Sequence, residues 1–176
     1  MSFVSIERRT YEAARSHLTK RPEQVGFFLA DWNEAQQCLS VRIWHPLAAK
    51  DLEFRSDFHV SLKDHVRPRI IKWAWDNNGC LIEAHSHGQD GSATFSPSDL
   101  HGFEDWVPHV RWRLTRRPYA AIVTAGDDFD GLVWIGPPGV CEQLETLDVI
   151  GGESLSATRT TLAWSNHLTG SDAGDE

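Results

Sequence analysis

The segment that most restricts the fold is residues 24–32, Gln-Val-Gly-Phe-Phe-Leu-Ala-Asp-Trp. Val25, Phe27 and Leu29 alternate with Gly26, Phe28 and Ala30, so both faces of an extended chain are apolar or small. A strand of that kind is buried on both sides and belongs inside a sheet. A turn at Asn33-Glu-Ala-Gln follows. Residues 38–44 then alternate Leu39, Val41 and Ile43 with Ser40 and Arg42, which reads as a second strand, antiparallel to the first across a hairpin.

Other elements follow from period and punctuation. Residues 6–19 have loose helical spacing, ended by Thr19-Lys-Arg-Pro. Residues 58–62 suit a short edge strand. Residues 64–77 suit a helix, with Pro68 in its first turn and Asn77-Asn78-Gly79 as its stop. Residues 80–86 are a strand, and a helix starts at Ser96, with Pro108 expected to interrupt it. Residues 119–124 and 132–135 read as strands around the turn 126–131, and residues 144–150 and 160–164 as two more. Residues 169–176 read as a disordered acidic tail. The expectation is a single α+β domain over residues 1–168.

Composition excludes several roles. The formal charge of −8 argues against binding nucleic acid, which is driven by neutralising phosphates. No apolar run is long enough to cross a membrane, and the N-terminus lacks a signal-peptide core, so a cytoplasmic protein is expected. Cys38, Cys80 and Cys141 form no C-x-x-C pair and read as buried free thiols. Trp32, Trp44, Trp73, Trp75 and Trp134 lie in expected elements and read as core. Arg111, Arg113, Arg116 and Arg117 read as a solvated basic face.

The chemistry gathers in residues 83–99. His85 and His87 end a strand at i and i+2, so they project side by side. A loop rich in glycine and serine follows, then Ser96-Pro-Ser-Asp99. That tetrapeptide is itself a helix start, with Ser96 as N-cap, Pro97 at the first position and Asp99 at the third. Asp99 can serve the cap and still face the histidines. Two imidazoles and one carboxylate are a catalytic zinc set, because three protein ligands leave the fourth tetrahedral position to water. Asp90 is the alternative acid.

His85-Ser-His87, a loop and Ser96-x-x-Asp99 resemble the JAMM motif of the JAB/MPN metalloproteases. Pro22-Glu23-Gln-Val-Gly26 and the apolar run after it resemble that family's glutamate strand. Two departures stand out: Gly88 replaces the usual proline after the second histidine, and the spacer to Ser96 is longer by one residue. The resemblance implies a cytidine-deaminase-like fold, a mixed central sheet flanked by helices. It implies Zn2+ on His85, His87 and Asp99, with Glu23 as general base and Ser96 supporting the tetrahedral intermediate. Glu83, on the same strand face as the histidines, is the alternative base. The implied activity is a zinc-dependent isopeptidase or peptidase that cuts after the C-terminal tail of a ubiquitin-like protein. Stand-alone bacterial members accompany ubiquitin-activating-like and ubiquitin-conjugating-like enzymes, some in antiphage defence. The rival expectation is a non-catalytic MPN-like scaffold.

Overall fold

A computed structural model describes residues 1–56, 60–88, 91–137 and 140–169. In chain order the elements are β1 (Ser2–Glu7), α1 (Arg8–Leu18), β2 (Val25–Asn33), β3 (Cys38–Pro46), β4 (Leu52–Arg55) and β5 (Val60–Leu62). Then come α2 (Val66–Asp76), β6 (Cys80–Ser86), α3 (Pro97–Arg113), β7 (Tyr119–Ala125), β8 (Asp128–Trp134), β9 (Glu142–Ile150), β10 (Ser154–Ser156) and α4 (Thr160–Thr169).

The doubly apolar strand sits where its pattern requires. β2 is flanked by β3 and β6, antiparallel to both, and its first six residues are buried. The sheet runs β1-β3-β2-β6-β7-β8-β9, and β9 then pairs in parallel with β1. That last pairing joins the two edges, so seven strands close into a mixed barrel, with β10 added on β9. Closure removes the open edges that a flat sheet must protect. The expected cytidine-deaminase-like JAB/MPN arrangement, a mixed sheet flanked by helices, is therefore corrected. The deciding contact is the parallel ladder from Ser2↔Leu144 to Glu7↔Ile150.

Two apolar clusters divide the strand faces. One takes Val4 and Ile6, Phe28 and Ala30, Leu39, Ile82 and Ala84, Ala120 and Ile122, Val133 and Leu144. Every barrel strand contributes to it, so it is the barrel interior, and Ala14 and Leu18 of α1 pack onto it. The second takes the opposite faces of β2, β6, β7 and β8 and covers them with α2 and α3. Each side chain fully buried there, such as Phe27 or Leu81, is worth about 1.5–3 kcal/mol of burial. Gly26 is small for a local reason: a Cβ there would lie 2.3 Å from the Trp44 ring, which packs across it.

Other expectations meet local corrections. α3 runs through Pro108 without a break. The carbonyl that loses its partner belongs to Glu104, on the exposed face, where water can serve it. Residues 160–164 begin a helix rather than a strand. The β7–β8 connection is also tighter than expected, because β8 already begins at Asp128. Arg111 is buried and donates to the carbonyls of Ile135 and Gly136, so it is no part of a solvated face. Trp75, read as core, is half exposed. Cys38 and Cys80 are buried free thiols, and Cys141 is a free thiol at intermediate exposure. Among the described residues no helix is long and apolar enough to cross a membrane. The tail residues 170–176 lie outside the described residues.

Candidate metal centre

The barrel face under α3 carries the site. β6 alternates Leu81, Glu83 and His85 toward the helices with Ile82 and Ala84 toward the interior. His87 continues the outer face one step past the strand, tied to β7 by its backbone N–H to the Thr124 carbonyl at 2.8 Å. α3 begins directly against this strand end. Its capping box is complete: Asp99 N donates to Ser96 Oγ at 3.2 Å, and Ser96 N donates to Asp99 Oδ2 at 2.8 Å. Ser96 Oγ also donates to Asp99 Oδ2, at 2.7 Å.

The oxygen that completes the cap also faces the histidines. Asp99 Oδ2 lies 3.6 Å from His85 Nε2 and 3.5 Å from His87 Nε2, and the two Nε2 atoms are 3.3 Å apart. Three ligand atoms thus form a nearly equilateral triangle, and the three residues are grouped closely enough to hold a metal ion. For zinc bonded at about 2.0–2.1 Å in a tetrahedron, neighbouring ligand atoms should be about 3.3–3.4 Å apart. The triangle matches that within a few tenths of an ångström. Cap and ligand readings of Asp99 are compatible in one geometry.

Exposure is graded across the triangle. The His85 side chain is 4% exposed, His87 19% and Asp99 23%, so a fourth ligand or substrate would approach from the side of His87 and Asp99. The electrostatics of these side chains follow from the same contacts. Burial works against a charged His85, but the Asp99 hydrogen bond and charge outweigh it and raise His85 above the ordinary histidine value. Burial likewise disfavours the Asp99 carboxylate, yet hydrogen bonds from His85 and His87 hold it well below the usual carboxylate range.

A cleft of about 460 Å³ opens beside His87 and Ser96, and Glu23 lines it. Glu23 is 5% exposed and comes just before β2. The β2–β6 register, Val25↔His85, continues as Ser86 N donates to the Gln24 carbonyl at 3.0 Å, which sets Glu23 beside His87. Lys20, Arg21, Gly88, Gly91 and Thr124 complete much of the wall.

Glu83 goes elsewhere. Its Oε2 accepts from the Tyr119 hydroxyl at 2.7 Å, and that hydroxyl accepts from Trp106 Nε1 at 2.8 Å. Burial, and then the Glu83 charge, push the Tyr119 hydroxyl well above the ordinary tyrosine value. Glu83 and Asp99 both line a second, smaller cavity of about 280 Å³ with Arg67, Ser98 and His101. The alternative acid Asp90 lies outside the described residues.

Glu23, His85, His87, Ser96 and Asp99 therefore come to one region from three separate parts of the chain. Two further neighbours had no sequence signal. Phe95, fully buried, presents its ring edge to His85 at a centroid distance of 5.6 Å. Tyr119 reads in sequence as one more strand residue, and its hydroxyl meets Glu83.

No protein-family model matches the chain, and no curated protein matches it. Among solved structures, the solution structure of protein DSY2949 from Desulfitobacterium hafniense, a structural-genomics target, is similar with a TM-score of 0.57 at 14% identity. The match covers 87% of this chain and 95% of that one, and at this identity it is a likeness of fold alone. With the closed barrel, it overturns the JAB/MPN resemblance: the residue types of the motif are present, but the chain is not assigned to that family.

Proposed function

We propose that this protein is a zinc-dependent hydrolase of amide bonds, a peptidase or isopeptidase. The observation that carries the reading is the triangle of His85 Nε2, His87 Nε2 and Asp99 Oδ2, with edges of 3.3, 3.5 and 3.6 Å and one open side. Zinc held there would supply a Lewis acid able to make water a nucleophile near neutral pH.

The residues around it divide the remaining work. His85, His87 and Asp99 hold the ion. Glu23 takes the proton released as the water oxygen attacks the amide carbon, and returns it to the nitrogen as the C–N bond breaks. One water is consumed, and an acid and an amine are released. Ser96 has a hydroxyl on the cleft wall that is hydrogen-bonded to the ligand Asp99. Turned from Asp99 Oδ2, it donates to the carbonyl oxygen as negative charge grows there.

The cleft size supports a class of substrate. About 460 Å³ suits a few residues of extended chain rather than a folded domain, which fits a scissile bond in an extended segment such as a tail. The C-terminal tail of a ubiquitin-like protein, free or conjugated, is the proposed substrate. Its activating and conjugating enzymes are the accompanying partners. Three cysteines without a disulfide suit a reducing compartment, and the cytoplasm is the proposed location.

The test is metal content and cleavage together. The purified protein should hold one zinc per chain and cut a ubiquitin-like protein fused through its C-terminus. A chain that holds no zinc sinks the reading. The second reading, a non-catalytic binding module, is favoured by one observation: helix capping alone accounts for the pairing of Ser96 with Asp99. Bound zinc without cleavage of any tail substrate would support it.

A further inference from the structure

Residues 88–96 form no helix or strand among those described, yet they deliver Asp99 against two histidines. What grips this segment is the start of α4. Phe95 N donates to Thr161 Oγ1 at 3.0 Å, across 66 residues of sequence. Thr94 Oγ1 donates to Thr160 Oγ1 at 2.6 Å, and Thr158 Oγ1 and Thr160 Oγ1 both donate to the Ala93 carbonyl, at 2.9 and 2.8 Å. Phe95 and Thr161 are both fully buried.

The helix start is in turn fixed to the barrel wall. Asp130 of β8 is fully buried, and its Oδ2 accepts from Thr161 N at 2.8 Å. Its Oδ1 accepts from Gly131 N and from Gln143 Nε2, both at 2.9 Å. A carboxylate at a helix N-terminus satisfies an otherwise orphaned N–H and meets the positive end of the helix dipole. Here that carboxylate comes from a strand far away in sequence. The chain of contacts is therefore continuous: barrel strand, Asp130, Thr161, Phe95 N–H, and then the next residue, Ser96, whose N–H holds Asp99 Oδ2. Phe95 serves both sides of the triangle, since its ring also meets His85 edge-on and packs on Phe103 at 5.3 Å.

We propose that Asp130 and Thr161 are positioning residues of the metal centre: through Phe95 they fix Asp99 and His85 in ligand geometry before an ion arrives. The inference rests on the metal reading above. A mere fold staple would change stability alone. A positioning pair changes ligand geometry and metal affinity even where the fold survives. Outer-shell partners of metal ligands commonly matter by about 10–100-fold in affinity.

Cobalt(II), titrated into the full chain and followed by its visible d–d absorption, separates the two. The wild-type chain should bind one ion with the intense band of a four-coordinate site. Thr161→Val keeps the shape but removes the acceptor for Phe95 N–H. It should bind cobalt at least about tenfold more weakly, with an altered band. Thr161→Ser keeps the acceptor and should restore both. If Thr161→Val does not fold, Asp130→Asn carries the test and should shift band and affinity in the same direction. Wild-type affinity and spectrum in Thr161→Val, or in Asp130→Asn where that variant is used, would overturn the positioning role. So would a fall in thermal midpoint with an unchanged cobalt band. A wild-type chain that takes up no cobalt or zinc instead removes the metal reading itself.

Discussion

Glu23 and Glu83 stand on either side of the histidine pair, on adjoining antiparallel segments, and their surroundings differ. Glu83, in the middle of β6, ends a chain of hydrogen bonds from Trp106 through Tyr119. Glu23 lies just before β2, beside His87, on the wall of the cleft that also holds Ser96. Both are near enough to favour a charged His85. Proximity to the ligands therefore does not separate them. What separates them is the company each keeps: Glu83 accepts from the Tyr119 hydroxyl between sheet and helix and lines the smaller cavity with Asp99, while Glu23 lines the larger cleft with His87 and Ser96. The proposed reaction therefore gives proton transfer to Glu23 and structural work to Glu83.

The largest expected effect removes what both glutamates surround. Replacing His85 and His87 together by alanine should abolish stoichiometric zinc and bring tail cleavage to background, measured by elemental analysis and by a fusion-cleavage assay. Zinc retained in the double variant would break the comparison at its root. The next effect tests the comparison directly. Glu23→Gln should keep its zinc and lose about 10²–10⁴-fold in kcat, the usual span for a lost general base. Glu83→Gln keeps an acceptor for Tyr119, so its kcat should stay within about tenfold of wild type, below that span. The reverse pattern would move proton transfer to Glu83.

Tyr119→Phe probes the structural side alone. It strands the Trp106 indole N–H in a buried site and removes a donor from Glu83. A buried group left without its partner costs about 1–3 kcal/mol, so chemical denaturation should show a loss of that size. Zinc content should not change. A loss of zinc in Tyr119→Phe would show that the Glu83 network also holds the ligands.

How much of this was legible in the chain depends on the range of the contact. β2, β3, α2, β6 and the start of α3 follow from local period, turn residues and the Ser-Pro-Ser-Asp cap, and the structure has them within a few residues. The ligand triangle was legible for the same reason, since His85, His87 and Asp99 lie on one strand–loop–helix unit. Barrel closure was not. It depends on Ser2–Glu7 pairing in parallel with the far end of the chain, and nothing local in Ser-Phe-Val-Ser-Ile-Glu announces a partner. Residues 160–164 misled for a related reason: Thr-Thr-Leu-Ala-Trp has strand-forming residues, but Asp130 caps it as a helix from another strand. A local motif resemblance fixes side-chain geometry well and global topology poorly.

The smallest effect concerns Ser96, which bears on the same question, whether a residue next to the ligands serves folding or chemistry. Ser96 caps α3 by accepting from Asp99 N and also donates to Asp99 Oδ2. Ser96→Ala should lower stability by about 0.5–2 kcal/mol, whereas Ser96→Gly, a tolerated N-cap, should cost only a few tenths. The two variants lose the hydroxyl equally. If Ser96 acts only through the cap, kcat should follow stability and Gly should outperform Ala. If its hydroxyl stabilises the developing oxyanion, both variants should fall in kcat by the same factor while their unfolding midpoints differ. Equal rates with unequal stabilities would place Ser96 with Glu23 on the chemical side of the centre; rates that follow stability would place it with Glu83.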